Sequence, residues 1–234
     1  MHAAVSGWTE SAGLLTEPRM AALGLKHGFT TRRSGNMKSP ERRAAAAASL
    51  GMSEPLTLKQ VHGTAILDAA PENAGKEGDG WLLSTPGPAA AVYAADCVPL
   101  FLWSDDGRAA GVFHAGWRGT AKGMAAAAVA AFRDRLGIPA SRLSAAVGPH
   151  AGPCCYKVGA ELEKEFPASS FVRRDGALYL DLAASTRRQL VEAGLSEENA
   201  AVAAPCTISN PEDYFSFRRD KQDARLLALL SLGS

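Results

Sequence analysis

Cys97 and His114 stand at the two ends of "CVPLFLWSDDGRAAGVFH", where apolar runs flank the turn-forming "SDDGR" at 104–108. Such a segment folds back as a β-hairpin, which brings a thiol and an imidazole to the same place. With Asp105 and Asp106 as the loop, Cys97 faces His114 directly. With Asp106 and Gly107, His114 faces Pro99 and Cys97 is its diagonal neighbour. Opposed Cβ atoms lie about 4.5–5.5 Å apart and diagonal ones about 7–8 Å, so either register keeps both groups at one end of the ribbon. Thiolate and neutral imidazole are ligands that zinc favours. The same pair suits nucleophilic catalysis, in which the histidine lowers the thiol pKa. An inert buried cysteine beside a structural histidine is the third reading. A hairpin offers two ligands at one level, so a zinc site needs another from elsewhere. Of the histidines at 2, 27, 62, 114 and 150, the candidate is His62, where "TLKQVHGTAIL" reads as a short strand ending at Gly63.

The elements that must position these groups interleave along the chain. "PERRAAAAASLGM" (40–52) reads as a helix with proline at its start and glycine at its end, and the alanine-rich segment 119–137 as another, closed by Gly137 and Pro139. A third helix is expected over 182–194 and a weaker one over 158–166. Strand-like runs are "AAAVYAAD", "VPLFLW", "RAAGVFHA", "LSAAVGP" and "ALYLDL". No linker, charge block or repeat divides the chain, which reads as one mixed α/β (α+β) domain over 1–234, with mixed sheets flanked by helices. It is not a Rossmann arrangement, because no glycine-rich loop joins a strand to a helix in the required pattern.

Bulk properties narrow the function. A net charge of +1 gives no field that would draw nucleic acid or an anionic membrane. No run of roughly 18 apolar residues occurs, and the N-terminus lacks a signal-peptide pattern. Cysteines at 97, 154, 155 and 206 form no disulfide framework, so a reduced, cytoplasmic protein is expected. Oligomeric state is not indicated.

The motifs "HGFTTR" (27–32), "KQVHG" (59–63), "ADCVPLFL" (95–102), "HAGWRGT" (114–120), "GPHAGPCCYKVG" (148–159), "LDL" (180–182), "CT" (206–207) and "FSFRRD" (215–220) occur in the order seen in one family. Over roughly residues 26–225 the chain resembles the bacterial laccase-like, or multicopper polyphenol-oxidase-like, proteins. These are also described as purine nucleoside phosphorylase/adenosine deaminase proteins. The resemblance implies a metal held by His62, Cys97 and His114, zinc before copper, with a fourth position open for water or substrate. It implies a fold shared with proteins described as cysteine hydrolases. It also implies small-molecule partners, a purine nucleoside and phosphate, for phosphorolysis of adenosine, inosine or methylthioadenosine and deamination of adenosine. Alternatives are a Cys-His amide hydrolase acting on cell-wall precursors, and a copper polyphenol oxidase, for which the five histidines are too few.

Phosphate needs a cationic clamp, and Arg32, Lys59 and Arg118 are the candidates, the last in the bend that leads into a helix N-terminus. Asp96 is expected to orient a neighbouring group or loop, while Trp117 and Tyr156 suit stacking against a base or core packing, and Cys155 a pocket wall or a structural thiol. The chain departs from the family pattern at Lys157, at His150 and in "QDAR" (222–225), where Arg225 nevertheless survives.

Overall fold

The computed structural model describes residues 7–233. Its organisation follows from strands that are apolar on both faces. Val98–Ser104 is buried at every position, as are Ala110–Ala115 and Leu226–Ser231. A strand of that kind must be covered on both sides, and the structure covers it in layers.

A six-stranded sheet runs in the order Ala200–Ala201, Leu143–Val147, Val98–Ser104, Ala110–Ala115, Gly80–Leu83, Ile66–Asp68. A five-stranded sheet runs in the order Thr9–Ser11, Leu14–Thr16, Lys26–Thr30, Leu226–Ser231, Ala89–Ala94. Alternate side chains decide what each face meets. Phe101, Trp103 and Val112 point from the larger sheet towards Phe29, Val92, Ala228 and Leu230 of the smaller one, and form the core between the sheets. Leu100, Leu102 and Phe113 point the other way, onto the helices Met124–Leu136 and Leu182–Glu192. The outer face of the five-stranded sheet, with Ala91, Leu227 and Leu229, is covered by Ala46 and Ala47 of the helix Pro40–Ser49. The result is helix, sheet, sheet, helix. A three-stranded antiparallel sheet (Lys157–Val158, Phe171–Arg174, Ala177–Leu180) completes a mixed α/β fold that is not a Rossmann arrangement.

Several expectations change. The hairpin pairs Pro99 with His114 and Val98 with Ala115, the register of an Asp106-Gly107 turn. The loop is wider than two residues, because Asp106 accepts from Ser104 Oγ (2.6 Å) and from the Arg108 N–H (3.1 Å) and so rounds out the bend. The expected helix over 119–137 is two helices, Trp117–Ala121 and Met124–Leu136, separated where Gly123 takes φ +85°. Around His62 the chain is a loop. Its strand is Ile66–Asp68, beyond Gly63. In the segment 158–166, Val158 ends a short strand and the helix is reduced to a 3-10 turn, Ala160–Lys164.

The six-stranded sheet also demands glycine at a particular place. The buried Phe113 ring lies across Gly80 and Gly111, and a Cβ on Gly111 would stand 2.4 Å from its Cζ and 2.9 Å from the Trp81 carbonyl oxygen. Neither neighbour can withdraw, one being a core ring and the other backbone. Gly111→Ala is therefore expected to cost about 1–3 kcal/mol of stability, the usual range for overpacking. Urea unfolding checks this, and an unchanged midpoint would mean that the ring has room to move.

Candidate functional site

His62, Cys97 and His114 come from separate segments and converge. One ligand atom from each lies within 4.8 Å of the others, a group that could hold a metal ion. His114 is held by the hairpin. Cys97 precedes the strand Val98–Ser104, on the diagonal from His114. His62 reaches them from a loop that is docked in sheet fashion on the edge strand Ala89–Ala94. Leu56 bridges to Ala90, and the Gln60 side chain imitates a strand partner by accepting from the Tyr93 N–H (2.7 Å) and donating to its carbonyl (2.9 Å).

Asp79, which the sequence reading leaves out, organises the set. It is fully buried, and its carboxylate accepts from the N–H groups of Val61 (3.2 Å), His62 (3.0 Å) and Gly63 (2.7 Å). Three successive N–H groups around one anion form a nest, which offsets placing His62 at φ +59°, a conformation L residues rarely adopt. The same carboxylate lies 2.8 Å from His114 Nδ1. A carboxylate only accepts, so Nδ1 carries a proton and Nε2 is the nitrogen left to face Cys97. The signal for Asp79 in the sequence was slight, a lone acid within "EGDGWLL" ahead of an apolar run.

The electrostatics follow from this contact chain. Burial opposes ionisation of the Cys97 thiol, but the His114 and His62 imidazoles outweigh it and draw the pKa down to about 6. Burial likewise opposes charge on His114, yet the Cys97 thiolate and Asp79 raise its pKa to about 9. Desolvation also works against Asp79, and its bond to His114 together with the nest holds it below the ordinary carboxylate range.

Glycines of "HAGWRGT" make the approach possible. A Cβ on Gly116 would lie 2.8 Å from Cys97 Sγ and 3.0 Å from His62 Cδ2, and one on Gly119 would lie 3.0 Å from the Gly63 carbonyl oxygen. A side chain at Gly116 would force Cys97 to shift, and one at Gly119 would crowd the loop that carries His62.

The three residues open into a cavity of about 640 Å³ that Lys59 lines together with Lys38, Tyr93, Phe217 and Arg225. Arg32 and Arg118 are not brought to it. Arg32 pairs with Asp220 (3.4 Å) and stacks on Phe215, and Arg118 lies exposed over the Trp117 ring at 4.3 Å. Trp117 and Tyr156 line a neighbouring cleft with Arg218. Asp96, at φ +87°, faces protein: it accepts from Thr207 Oγ1 (2.6 Å) and from the Arg218 N–H (2.7 Å), tying the Thr207 loop and the short helix Phe217–Asp220 to the residue before Cys97. His150 is buried, with Nδ1 on the Gly148 carbonyl (3.0 Å).

A family model described as multi-copper polyphenol oxidoreductase laccase matches residues 33–233. The chain belongs to this family. A protein of Xylella fastidiosa named purine nucleoside phosphorylase is 37% identical over 205 residues, which cover 82% of this chain and 77% of that one. Another of that name, from Deinococcus radiodurans, is 33% identical across 94% of this chain and 92% of its own. Among solved structures, YlmD from Geobacillus stearothermophilus superposes with a TM-score of 0.87 at 28% identity, over 97% of this chain and 99% of that one.

In this laccase-family chain the reactive thiol can be tested directly. In metal-free protein, alkylation of Cys97 by iodoacetamide is expected to rise with pH and reach half its plateau near pH 6, where the pKa of about 6 lies. A free thiol titrates near 8.5. Asp79→Asn removes a charge that, alongside the Cys97 thiolate, raises His114, so the midpoint should move upward. A midpoint near 8.5 in the unaltered protein would show that the imidazoles do not stabilise the thiolate.

Proposed function

We propose that this chain is a zinc-dependent purine nucleoside enzyme of the cytoplasm, which cleaves adenosine, inosine or methylthioadenosine with phosphate and deaminates adenosine. The observation that carries the reading is the placement of a Cys-His-His donor set at a cavity lined by Lys38, Lys59 and Arg225 and by the aromatic Tyr93 and Phe217. The names of the relatives support the substrate class.

The donors suit zinc: one low-pKa thiol, two imidazoles, and a carboxylate behind one of them, which fixes its tautomer. His62, Cys97 and His114 would hold the zinc, which would supply a Lewis acid at the cavity wall. The remaining work falls to the chain's own residues. Phosphorolysis joins a phosphate oxygen to ribose C1′ as the bond to the purine nitrogen breaks, so the dianion must be held beside the sugar. Lys59 contributes charge at the rim, where it now pairs with Glu77 (2.8 Å). Lys38 and Arg225 share the exposed Asp223, the latter at 2.9 Å, so two cations meet one carboxylate and keep charge to spare for phosphate. Half-exposed Phe217 offers a face on which a base can stack. Deamination, in which water replaces the C6 amino group and ammonia leaves, uses the same donors with the adenine edge turned towards them.

The copper oxidase reading loses support from the histidines themselves. His27 has both ring nitrogens engaged by backbone, Nε2 accepting from the Glu17 N–H (2.7 Å) and Nδ1 on the Leu25 carbonyl (2.9 Å). His150 is buried and bonded to Gly148, so among the described residues only His62 and His114 face the cavity. The amide hydrolase reading keeps one observation in its favour, since Cys97, His114 and Asp79 are ordered as a nucleophile, base and orienting acid.

Metal analysis of the purified protein with product analysis on adenosine and phosphate tests the proposal. One zinc per chain at this site and release of adenine or inosine are expected. Cys97→Ser should lose the metal and activity together, because a neutral hydroxyl is a far poorer donor. Full activity after chelation, abolished by alkylating Cys97, would instead establish the thiol hydrolase.

Arg225→Ala should raise the KM for phosphate about 10-fold or more, the loss expected for a charged hydrogen bond, with kcat less affected. Initial rates across phosphate concentrations measure this, and an unchanged KM would remove Arg225 from the clamp.

A further inference from the structure

A second group of thiols lies outside the site just described. Cys154, Cys155 and Cys206 place their sulfur atoms within 4.8 Å of one another. The first two come from the turn after Gly152 and the third from a distant segment that runs beside it through the His150–Cys206 bridge. All three are free, Cys154 exposed and the others half-buried, so the cluster is built into the fold yet open to solvent.

We propose that Cys154, Cys155 and Cys206 form a second cation site, which takes a thiophilic ion, zinc or cuprous copper, through three thiolates. Thiolates about 2.3 Å from a common zinc stand a little under 4 Å apart, a spacing these side chains reach with small rotations. Soft sulfur ligands select such ions over magnesium or calcium. Metal–thiolate sites are characteristically supported by outer hydrogen bonds, and here the Gly152 N–H donates to Cys206 Sγ at 3.3 Å. Arg174 braces the turn by donating from Nη2 to the Cys154 carbonyl (2.9 Å). Three protein ligands leave one position free. Binding deprotonates each thiol, so uptake releases up to three protons per ion and involves no change of oxidation state.

An ion there would clamp the turn to the Cys206 segment. Both already report to one residue of the first site: the Ala151 N–H donates to the Asp96 carbonyl (2.9 Å), and Thr207 Oγ1 to the Asp96 carboxylate (2.6 Å). Asp96 directly precedes Cys97.

The proposal stands apart from the reading of the first site, and the test separates them. The full chain is reduced, stripped of metal, and loaded in separate arms with zinc and with cuprous ion under reductant. Bound metal per chain is then counted after desalting. The double variant Cys154→Ser/Cys206→Ser should bind one equivalent fewer than the unaltered protein in at least one arm, and the arm that shows the deficit identifies the ion. Cys97→Ser should keep that equivalent, with an absorption-edge spectrum showing a sulfur-only protein shell. Cys155→Ser serves as a milder variant, expected to weaken binding at least 10-fold in a competition titration, with circular dichroism verifying its fold. Equal metal content in the double variant and the unaltered protein would overturn the proposal. So would a Cys97→Ser protein that binds no metal, or a cluster that closes into a disulfide under air and takes up neither ion when reduced.

Discussion

A carboxylate removed from water has to find its charge balance inside the protein, and Asp79 does so with four partners. Three are the successive N–H groups of Val61, His62 and Gly63, and the fourth is His114. Leaving such a group unpaired in the interior would cost several kcal/mol, so wherever Asp79 sits the loop and the imidazole are compelled to follow. Two of the three converging side chains are thus placed by one buried anion. The tautomer of His114 and the left-handed backbone of His62 depend on it, while the acidity of Cys97 comes from the two imidazoles that it helps to place.

The anion in turn is held by the sheets. Asp79 leads into the strand Gly80–Leu83, and its backbone carbonyl accepts from the His114 N–H (2.7 Å) on the neighbouring strand. Phe113, across from Gly80, fills the helix-facing core, while His114 beside it turns to the site by the alternation of the strand. Core packing and the placement of His114 are therefore two faces of the same strand. The glycines at 80, 111 and 116 mark where ring or sulfur comes closer than a Cβ would permit, and Gly119 marks a tight approach to the Gly63 carbonyl.

The cavity beside this centre has a different construction. Its cations are exposed Lys59, paired with exposed Glu77, and half-buried Arg225, paired with exposed Asp223. Exchange of such partners for a phosphate costs little, since surface pairs contribute about 0–1 kcal/mol. A rigid donor set next to adaptable cationic groups is the arrangement that the proposed phosphorolysis requires.

Much of this was legible in the sequence, for physical reasons. Apolar runs broken by "SDDGR" specify a hairpin, and a hairpin alone brings Cys97 near His114; the helix at 40–49 is marked by Pro40 and the glycine that follows it. Local chemistry does not show which long-range partners meet. Leu226–Ser231, apolar up to Ser231 and lacking alternation, is an interior strand of the five-stranded sheet, yet nothing in its own residues announces that position. The same holds for Asp79, and for Lys38 and Arg225, which are far apart in the chain and share one carboxylate only after the sheets have assembled. Conversely, Arg32 and Arg118 have the right chemistry for a clamp, but folding commits them to Asp220 and Trp117. Residue type and spacing determined which groups were competent. The packing of two sheets on each other, and the burial of one carboxylate between them, decided which of those groups would meet.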